Sequence, residues 1–181
     1  GVPGAMVSVV CNNALNRSVR EFQLKEPASI LNKTRDIVIE TFEKSETNIK
    51  DGMDIALCRL EANQLQYAGA NNPLWIVRNN ELIEIKGDKQ PIGKYMNKQP
   101  FTNHVIELQH GDTIYLLTDG YPDQFGGEKG KKYKYRQLKE KLITIVNLPL
   151  KEQKENLLSE FNNWKGELEQ IDDVCIIGIR I

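Results

Sequence analysis

The residues with the clearest capacity for chemistry form two pairs beside predicted strands. Asp119-Gly120 directly follows 113–118, the most hydrophobic run of the chain, so a carboxylate stands at a strand end where Gly120 admits close backbone approach. Asp172-Asp173 stands just before the closing strand, and its adjacent carboxylates repel each other unless solvent or a cation offsets the charge. Together the two pairs would form an oxygen-rich site.

Carboxylates are also the main catalytic material that the composition leaves. Only His104 and His110 are present, which argues against a histidine-rich zinc site, and no Gly-Xaa-Ser-Xaa-Gly elbow marks a serine hydrolase. An all-carboxylate site suits Mg²⁺ or Mn²⁺, hard cations that keep several waters and use few protein ligands. Two such ions, about 3.5 to 4 Å apart, can activate water for phosphoester hydrolysis.

Plainer interpretations of the same residues stay open. Asp-Gly often marks a simple turn, and on local sequence alone that is the more common outcome for Asp119-Gly120. Asp172-Asp173 would serve equally well as a helix cap or a solvated loop. The chain also carries a run of four lysines: Lys129, Lys131, Lys132 and Lys134. These lysines would guide an acidic phosphoprotein to the site, but a lysine-rich loop is more often simply solvated.

Size and charge narrow the class of protein. The 181 residues suit one domain, and a net charge of -1 provides no field for nucleic acid, so we expect no nucleic-acid partner. No apolar run approaches the roughly 20 residues that span a bilayer, so we expect no membrane insertion of this piece. Cys11, Cys58 and Cys175 stand among apolar neighbours without CxxC spacing, which predicts reduced core residues and a cytoplasmic location.

Hydrophobic periodicity predicts the elements that must position these residues. Helical spacing covers 3–20 and 27–42, and a later pair of helices is predicted around 138–146 and 157–164. Alternation predicts strands at 53–60, 64–68, 74–78, 81–85, 102–108, 113–118 and 174–181, with a tight turn at Asn79-Asn80 and a polar, glycine-rich loop over 121–134. Helices, antiparallel strands, helices and a last strand predict an α+β layered sandwich.

Several motifs, in order along the chain, carry a resemblance to a known family. The motifs are Gly1-Val2-Pro3-Gly4-Ala5-Met6, Ala68-Gly69-Ala70-Asn71-Asn72-Pro73, Pro91-Ile92-Gly93, Gly111-Asp112, Leu116-Leu117-Thr118-Asp119-Gly120, Asp123-Gln124-Phe125 and Asp172-Asp173-Val174. In these motifs, and over essentially its whole length, the sequence resembles the PPM family of metal-dependent phosphatases (the protein phosphatase 2C superfamily), in its bacterial SpoIIE/RsbU-like branch.

The resemblance implies a fold, a mechanism and roles for particular residues. The fold would be an αββα sandwich of two antiparallel sheets flanked by helices. Asp119 and Asp172 would be the catalytic metal ligands, with Asp173 as second choice and Gly120 as a further candidate for the metal site. Asp54 and Asp123 would lie next to the ligands and support them without binding the metal, although Asp54 is equally well read as a strand aspartate that faces a hydrogen-bond partner. The implied reaction is attack on phosphoserine or phosphothreonine by a metal-activated water, with Mn²⁺ or Mg²⁺ in a two-metal site.

The sequence also departs from the family pattern. Ala70 stands where many relatives have His, and Cys175 where they often have Thr, which predicts a sub-branch. The bridging aspartate of the family lies upstream of the position of Gly1. We therefore expect 1–181 to be a single phosphatase domain, truncated at its N-terminus and lacking the N-terminal strands, that binds Mn²⁺ poorly and has little activity by itself.

The resemblance extends to partners. The branch implies a phosphorylated regulatory protein as substrate, in particular an anti-sigma-factor antagonist of the STAS type, and an N-terminal sensor or receiver domain in the parent protein. It leaves a homodimer open, and also a tether to the membrane through other domains. The alternative is a pseudo-phosphatase that binds a partner without hydrolysis; an aspartate four residues upstream of Gly1 would favour the enzyme.

Overall fold

A computed structural model of the chain describes residues 2–44 and 52–181. Gly1, which opens the first family motif, and Asp51, which precedes the segment of Asp54, lie outside the described residues. Within them the helices are α1 (Val2–Arg20), α2 (Pro27–Lys44), α3 (Gly120–Asp123), α4 (Tyr135–Ile145) and α5 (Leu150–Lys165). The strands are β1 (Ile55–Glu61), β2 (Gln64–Ala70), β3 (Leu74–Arg78), β4 (Glu81–Ile85), β5 (His104–Glu107), β6 (Thr113–Leu117), β7 (Phe125–Gly126), β8 (Lys131–Lys132) and β9 (Ile176–Arg180).

Backbone contacts divide the chain into two compact units, and the first comprises the described residues up to 73 together with 86–108. Its helices pack on each other through a helical stripe of small and apolar side chains, and the hydroxyls of Ser18 and Thr34 lie 3.0 Å apart where α1 meets α2. Its sheet has the antiparallel order β1-β2-β5. The helix α2 contacts β2, and buried Leu31 and Val38 share a core with Ala68 of that strand.

The second unit comprises 74–85 and 109–181 and holds the residues of the predicted metal site other than Asp54. Its antiparallel sheet has the order β4-β3-β6-β9, so the apolar strand β6 lies between two neighbours. Side chains from α4 and α5 pack on this sheet around Trp75 and Tyr115, both of which are almost fully buried. A strand buried on both faces reads as a continuous apolar run, which is the pattern of 113–117.

The predicted fold class is confirmed, because antiparallel sheets with flanking helices form both units. The four long helices lie where hydrophobic spacing placed them, although α5 begins at Leu150, seven residues before its predicted start at 157. The hairpin β3–β4 turns through Asn79 and Asn80 with φ values of 50° and 61°, as the two-residue turn requires. Strand β1 is shorter than predicted: it begins at Ile55, and Met53 only bridges to Ile92.

The prediction of a polar loop over 121–134 was wrong. The segment contains the single-turn helix α3, the short hairpin β7–β8, and two buried tyrosines, Tyr121 and Tyr133. Their rings pack edge to face with centroids 5.2 Å apart, and Phe161 and Trp164 of α5 complete the cluster. The aromatic residues are too far apart in sequence to give a period, so only the packing against α5 reveals their burial.

The cysteine prediction holds for one residue and fails for another. Cys11 is buried among the apolar residues of α1, whereas Cys175 is exposed just before β9. All three thiols are free. Among the described residues there is no helix whose length and apolar character would allow it to cross a membrane.

Candidate metal centre

Asp119 lies where β6 ends and α3 begins. The strand stops at Leu117, and Asp119 has the helical backbone angles φ -77° and ψ -12°. Its carbonyl accepts a hydrogen bond of 2.9 Å from the amide of Asp123, which closes the single turn of α3. The Asp119 side chain is exposed, so its carboxylate is presented at the edge of the second unit beside a strand that is itself buried.

Gly120 is in direct contact with the second pair of aspartates, although α4 and α5 lie between the two pairs in sequence. A Cβ built on Gly120 would clash with the carbonyl oxygen of Asp173, and would lie 2.9 Å from its carbonyl carbon and 3.3 Å from that of Asp172. Only glycine therefore allows this approach.

Thr118 joins the segment that carries Asp119 to the segment that carries Asp172 and Asp173. Its hydroxyl donates to the carbonyl oxygen of Asp173 at 2.9 Å and accepts from the amide of Cys175 at 3.0 Å. The amide of Thr118 in turn donates to the carbonyl of Cys175, also at 3.0 Å. Because these bonds extend the β6–β9 pairing past the last strand residue, Asp119 and the closing pair of aspartates are held at the same edge of the sheet.

Local hydrogen bonds also orient the closing pair. The amide of Asp173 donates to Oδ1 of Asp172 at 2.7 Å, and the side-chain amide of Gln170 donates to the Asp172 carbonyl at 2.8 Å. Both aspartates are exposed. The structure thus brings Asp119, Gly120, Asp172 and Asp173 together, and binding of a metal by them stays a prediction.

Gln124 anchors both segments from the interior. Its fully buried side-chain amide donates to the carbonyl of Glu169 at 2.9 Å, and its Oε1 accepts from the amide of Ile171 at 3.3 Å. The segment leading into Asp172 is therefore tied to the residue that follows α3. The neighbouring Tyr121 hydroxyl donates to the carbonyl of Leu157 at 2.9 Å, and burial raises the pKa of Tyr121, which keeps it a donor.

The two residues predicted to support the ligands have other partners. The carboxylate of Asp123 forms an ion pair with Lys132 at 2.8 Å. Asp54 lies in the first unit, just ahead of β1, where its Oδ1 accepts a hydrogen bond of 2.7 Å from the side chain of Asn71. These contacts explain how each carboxylate is oriented, and a role of either residue behind a metal ligand stays a prediction.

The gathered residues suit a hard divalent cation. Mg²⁺ and Mn²⁺ are commonly held by one or two carboxylates together with waters, and exposed carboxylates leave space for those waters. Over 2–44 and 52–181 there is no group of three or more His, Cys, Asp or Glu side chains placed to hold a metal.

Thr118 and Gln124 are positioning residues that the sequence did not single out. Both stand inside the family motifs, but neither residue type points to a role, because a threonine in a strand and a glutamine in a polar segment are ordinary. The one feature of the sequence that could have identified them is their position, because Thr118 directly precedes Asp119 and Gln124 directly follows Asp123.

Solved structures with this fold define the class of protein. The SiaA PP2C domain of Pseudomonas aeruginosa is 30% identical over 100% of this chain and 71% of that chain, with a TM-score of 0.88. The PP2C phosphatase domain of SpoIIE from Bacillus subtilis, solved with a fragment of its regulatory domain, is 16% identical over 94% of this chain, with a TM-score of 0.68. This chain spans 48%, about half, of that SpoIIE structure.

A third structure is that of the serine/threonine phosphatase PstP of Mycobacterium tuberculosis. Its catalytic domain in complex with two manganese ions is 16% identical over 93% of this chain and 79% of that chain, with a TM-score of 0.63. No curated protein matches. The fold is therefore that of PP2C-type protein phosphatase domains, of the PPM superfamily.

The particular family follows from the sequence itself. The family model of stage II sporulation protein E (SpoIIE) matches residues 1–181, and the chain belongs to this family. The resemblance inferred from the motifs is confirmed.

Proposed function

We propose that the chain is the phosphatase domain of a signalling protein that removes phosphate from phosphoserine or phosphothreonine of a regulatory protein. The observation that carries the proposal is the contact of Gly120 with the backbone of Asp172 and Asp173, which brings the segment that carries Asp119 and the closing pair of aspartates to one edge of the sheet. Membership of the SpoIIE family supports the reaction class.

We further propose that Asp119 and Asp172 are the metal ligands, with Asp173 as the second choice. When bound, Mn²⁺ or Mg²⁺ lowers the pKa of a coordinated water and offsets charge on the phosphoryl group. The manganese ions bound to PstP support a divalent cation in this class. The residues contribute orientation: Thr118 fixes the spacing of the two segments, and the amide of Asp173 turns the Asp172 carboxylate by bonding Oδ1.

The proposed substrate is a phosphorylated anti-sigma-factor antagonist of the STAS type, which the SpoIIE/RsbU-like branch implies. A sensor or receiver domain in the parent protein would control the activity, and the regulatory domain of SpoIIE supports such an arrangement.

The test compares full-length parent protein carrying Asp119→Asn or Asp172→Asn with the unsubstituted protein, using a phosphothreonine peptide and added Mn²⁺. Each substitution removes a charge at nearly constant volume, so we expect activity to be lost while the unfolding temperature is kept. Glu155→Gln, a matched loss of charge at an exposed position of α5, serves as control. Retained turnover in both aspartate variants would contradict the ligand assignment, and a parent protein that binds the phosphoprotein without turnover would be a pseudo-phosphatase.

A further inference from the structure

The hairpin that follows α3 concentrates positive charge on a chain whose net charge is -1. We call residues 125–134 the lysine hairpin; its cations are exposed, and they are Lys129, Lys131, Lys132 and Lys134. Lys132 pairs with Asp123. Within the part of the chain that the structure describes, the other three have no carboxylate at ion-pair distance. Their charges are therefore available to a partner.

Backbone contacts fasten the lysine hairpin beside the candidate metal centre. The amide of Lys134 donates to the carbonyl of Pro122 at 2.6 Å, and that of Tyr133 to the carbonyl of Gln124 at 3.0 Å. Pro122 belongs to α3, the turn that begins at Gly120. The returning arm of the hairpin thus lies one hydrogen bond from the helix that starts at the carboxylate site.

The other arm is fixed to α5. The amide of Gly127 donates to the carbonyl of Trp164 at 2.8 Å, and a Cβ on Gly126 would clash with that same carbonyl oxygen. The indole of Trp164 donates to the carbonyl of Gln124 at 3.1 Å. The cations therefore project from a supported hairpin, which lowers the ordering entropy that a flexible lysine-rich loop would lose when it binds.

The backbone of Lys134 adds an independent observation. Its angles are φ 74° and ψ 145°, a region in which a non-glycine residue is strained. Glycine would adopt these angles without that strain. Local folding alone thus favours glycine at this position, and the chain places a cation there instead.

We propose that the lysine hairpin binds acidic residues flanking the phosphorylated residue of the protein substrate. The inference rests on the proposed function, since it names the class of substrate that the same site would receive. A supported hairpin whose exposed lysines lack carboxylate partners among the described residues matches an acidic segment by charge. Its hydrogen bonds to α3 place that segment next to the carboxylate site. Specificity for phosphoproteins with acidic flanks follows.

The test measures binding rather than turnover, using the full chain and fluorescence anisotropy. The probe is a fluorescein-labelled peptide with one phosphothreonine between aspartate and glutamate residues; a second probe has the same phosphothreonine between serine and alanine residues. We expect tighter binding of the acidic probe, weakened by added NaCl. Equal affinities for the two probes, or an affinity that NaCl leaves unchanged, would overturn the proposal.

Charge reversal then locates the surface. Lys129→Glu combined with Lys131→Glu is expected to weaken binding of the acidic probe by about tenfold, because two exposed attractive charges of modest energy are replaced by repulsive ones. Lys151→Glu combined with Lys154→Glu, on exposed positions of α5, is the matched control and should weaken it much less. Equal losses in the two variants would mean that long-range charge alone drives binding, and would overturn the assignment to the hairpin.

Two further measurements distinguish a peptide-binding hairpin from a membrane contact and from binding at the metal centre. Vesicles of phosphatidylcholine and phosphatidylserine report on the membrane; binding to them without binding to the acidic probe contradicts the proposal. Asp119→Asn is expected to keep its preference for the acidic probe, because that preference resides in the flanks. Absence of turnover would therefore count against the proposed function, whereas loss of the acidic preference would count against the hairpin alone.

Discussion

Replacement of Gly120 by alanine tests the contact on which the candidate site depends. The new methyl group would clash with the carbonyl oxygen of Asp173 and lie 2.9 Å from its carbonyl carbon. Both atoms belong to backbone that the Thr118 hydroxyl holds at 2.9 Å, so they cannot move aside as a flexible side chain would. The segment carrying Asp172 and Asp173 must shift away from Asp119, or α3 must shift.

Two opposing effects determine how much Gly120→Ala changes the free energy of unfolding. Overpacking of a close contact costs about 1 to 3 kcal/mol, whereas loss of glycine freedom in the unfolded chain returns about 0.4 to 1 kcal/mol. We expect Gly120→Ala to lower the free energy of unfolding by about 1 to 2 kcal/mol, which for a chain of this size is about 2 to 8 °C in unfolding temperature.

Urea unfolding followed by tryptophan fluorescence is the appropriate assay, because Trp75 and Trp164, the two tryptophans of the chain, both lie in the second unit. The matched control is Gly178→Ala on β9, where the new Cβ would meet ordinary contacts of 3.5 Å to Leu150 and Tyr115. We expect that control to stay within about 0.5 kcal/mol of the unsubstituted chain.

Two outcomes would refute different parts of the reasoning. If Gly120→Ala unfolds at the same urea concentration as Gly178→Ala, the close packing of Gly120 on Asp173 is wrong. Calorimetric titration of the full-length parent with Mn²⁺ supplies the second readout, and we expect weaker binding in the Gly120 variant only. Lower stability with unchanged Mn²⁺ affinity would keep the packing but remove Asp172 and Asp173 as ligands.

Two further predictions concern buried polar groups of the second unit. Arg78 donates to both carboxylate oxygens of Asp112, at 2.8 and 2.7 Å, and this hydrogen bonding lowers the pKa of Asp112 below its ordinary value. The pair therefore contributes stability above the unfolded pKa of about 4 and loses it as the pH falls through the lower folded pKa. Asp112→Asn should cost about 2 to 4 kcal/mol at pH 7, with a difference from the unsubstituted chain that shrinks in acid; a constant difference in urea titrations from pH 7 to 3 would contradict this. Gln124→Ala leaves the carbonyl of Glu169 and the amide of Ile171 without their partner, so we expect a loss of about 1 to 3 kcal/mol and faster hydrogen exchange over 169–173; unchanged exchange there would argue against the anchoring role.

Local sequence patterns were sufficient to predict most of the helices and strands. The helices α2 and α5 and the hairpin β3–β4 depend on residues close in sequence, through helical spacing and through the positive φ that Asn79 and Asn80 tolerate. The same approach failed for the segment 121–134, because Tyr121 and Tyr133 are buried by contacts with Phe161 and Trp164. Those two residues lie beyond α4 in sequence.

For the candidate site, too, part was predictable from the sequence and part only from the folded structure. Residue types and order along the chain were enough to identify the family and to select Asp119 and Asp172 as candidate ligands. Their proximity, the bridging hydroxyl of Thr118 and the anchoring amide of Gln124 came only from the folded chain. The reason is physical: a side chain's chemistry is local to its residue, whereas the pairing of β6 with β9 joins segments that sequence spacing alone does not bring together.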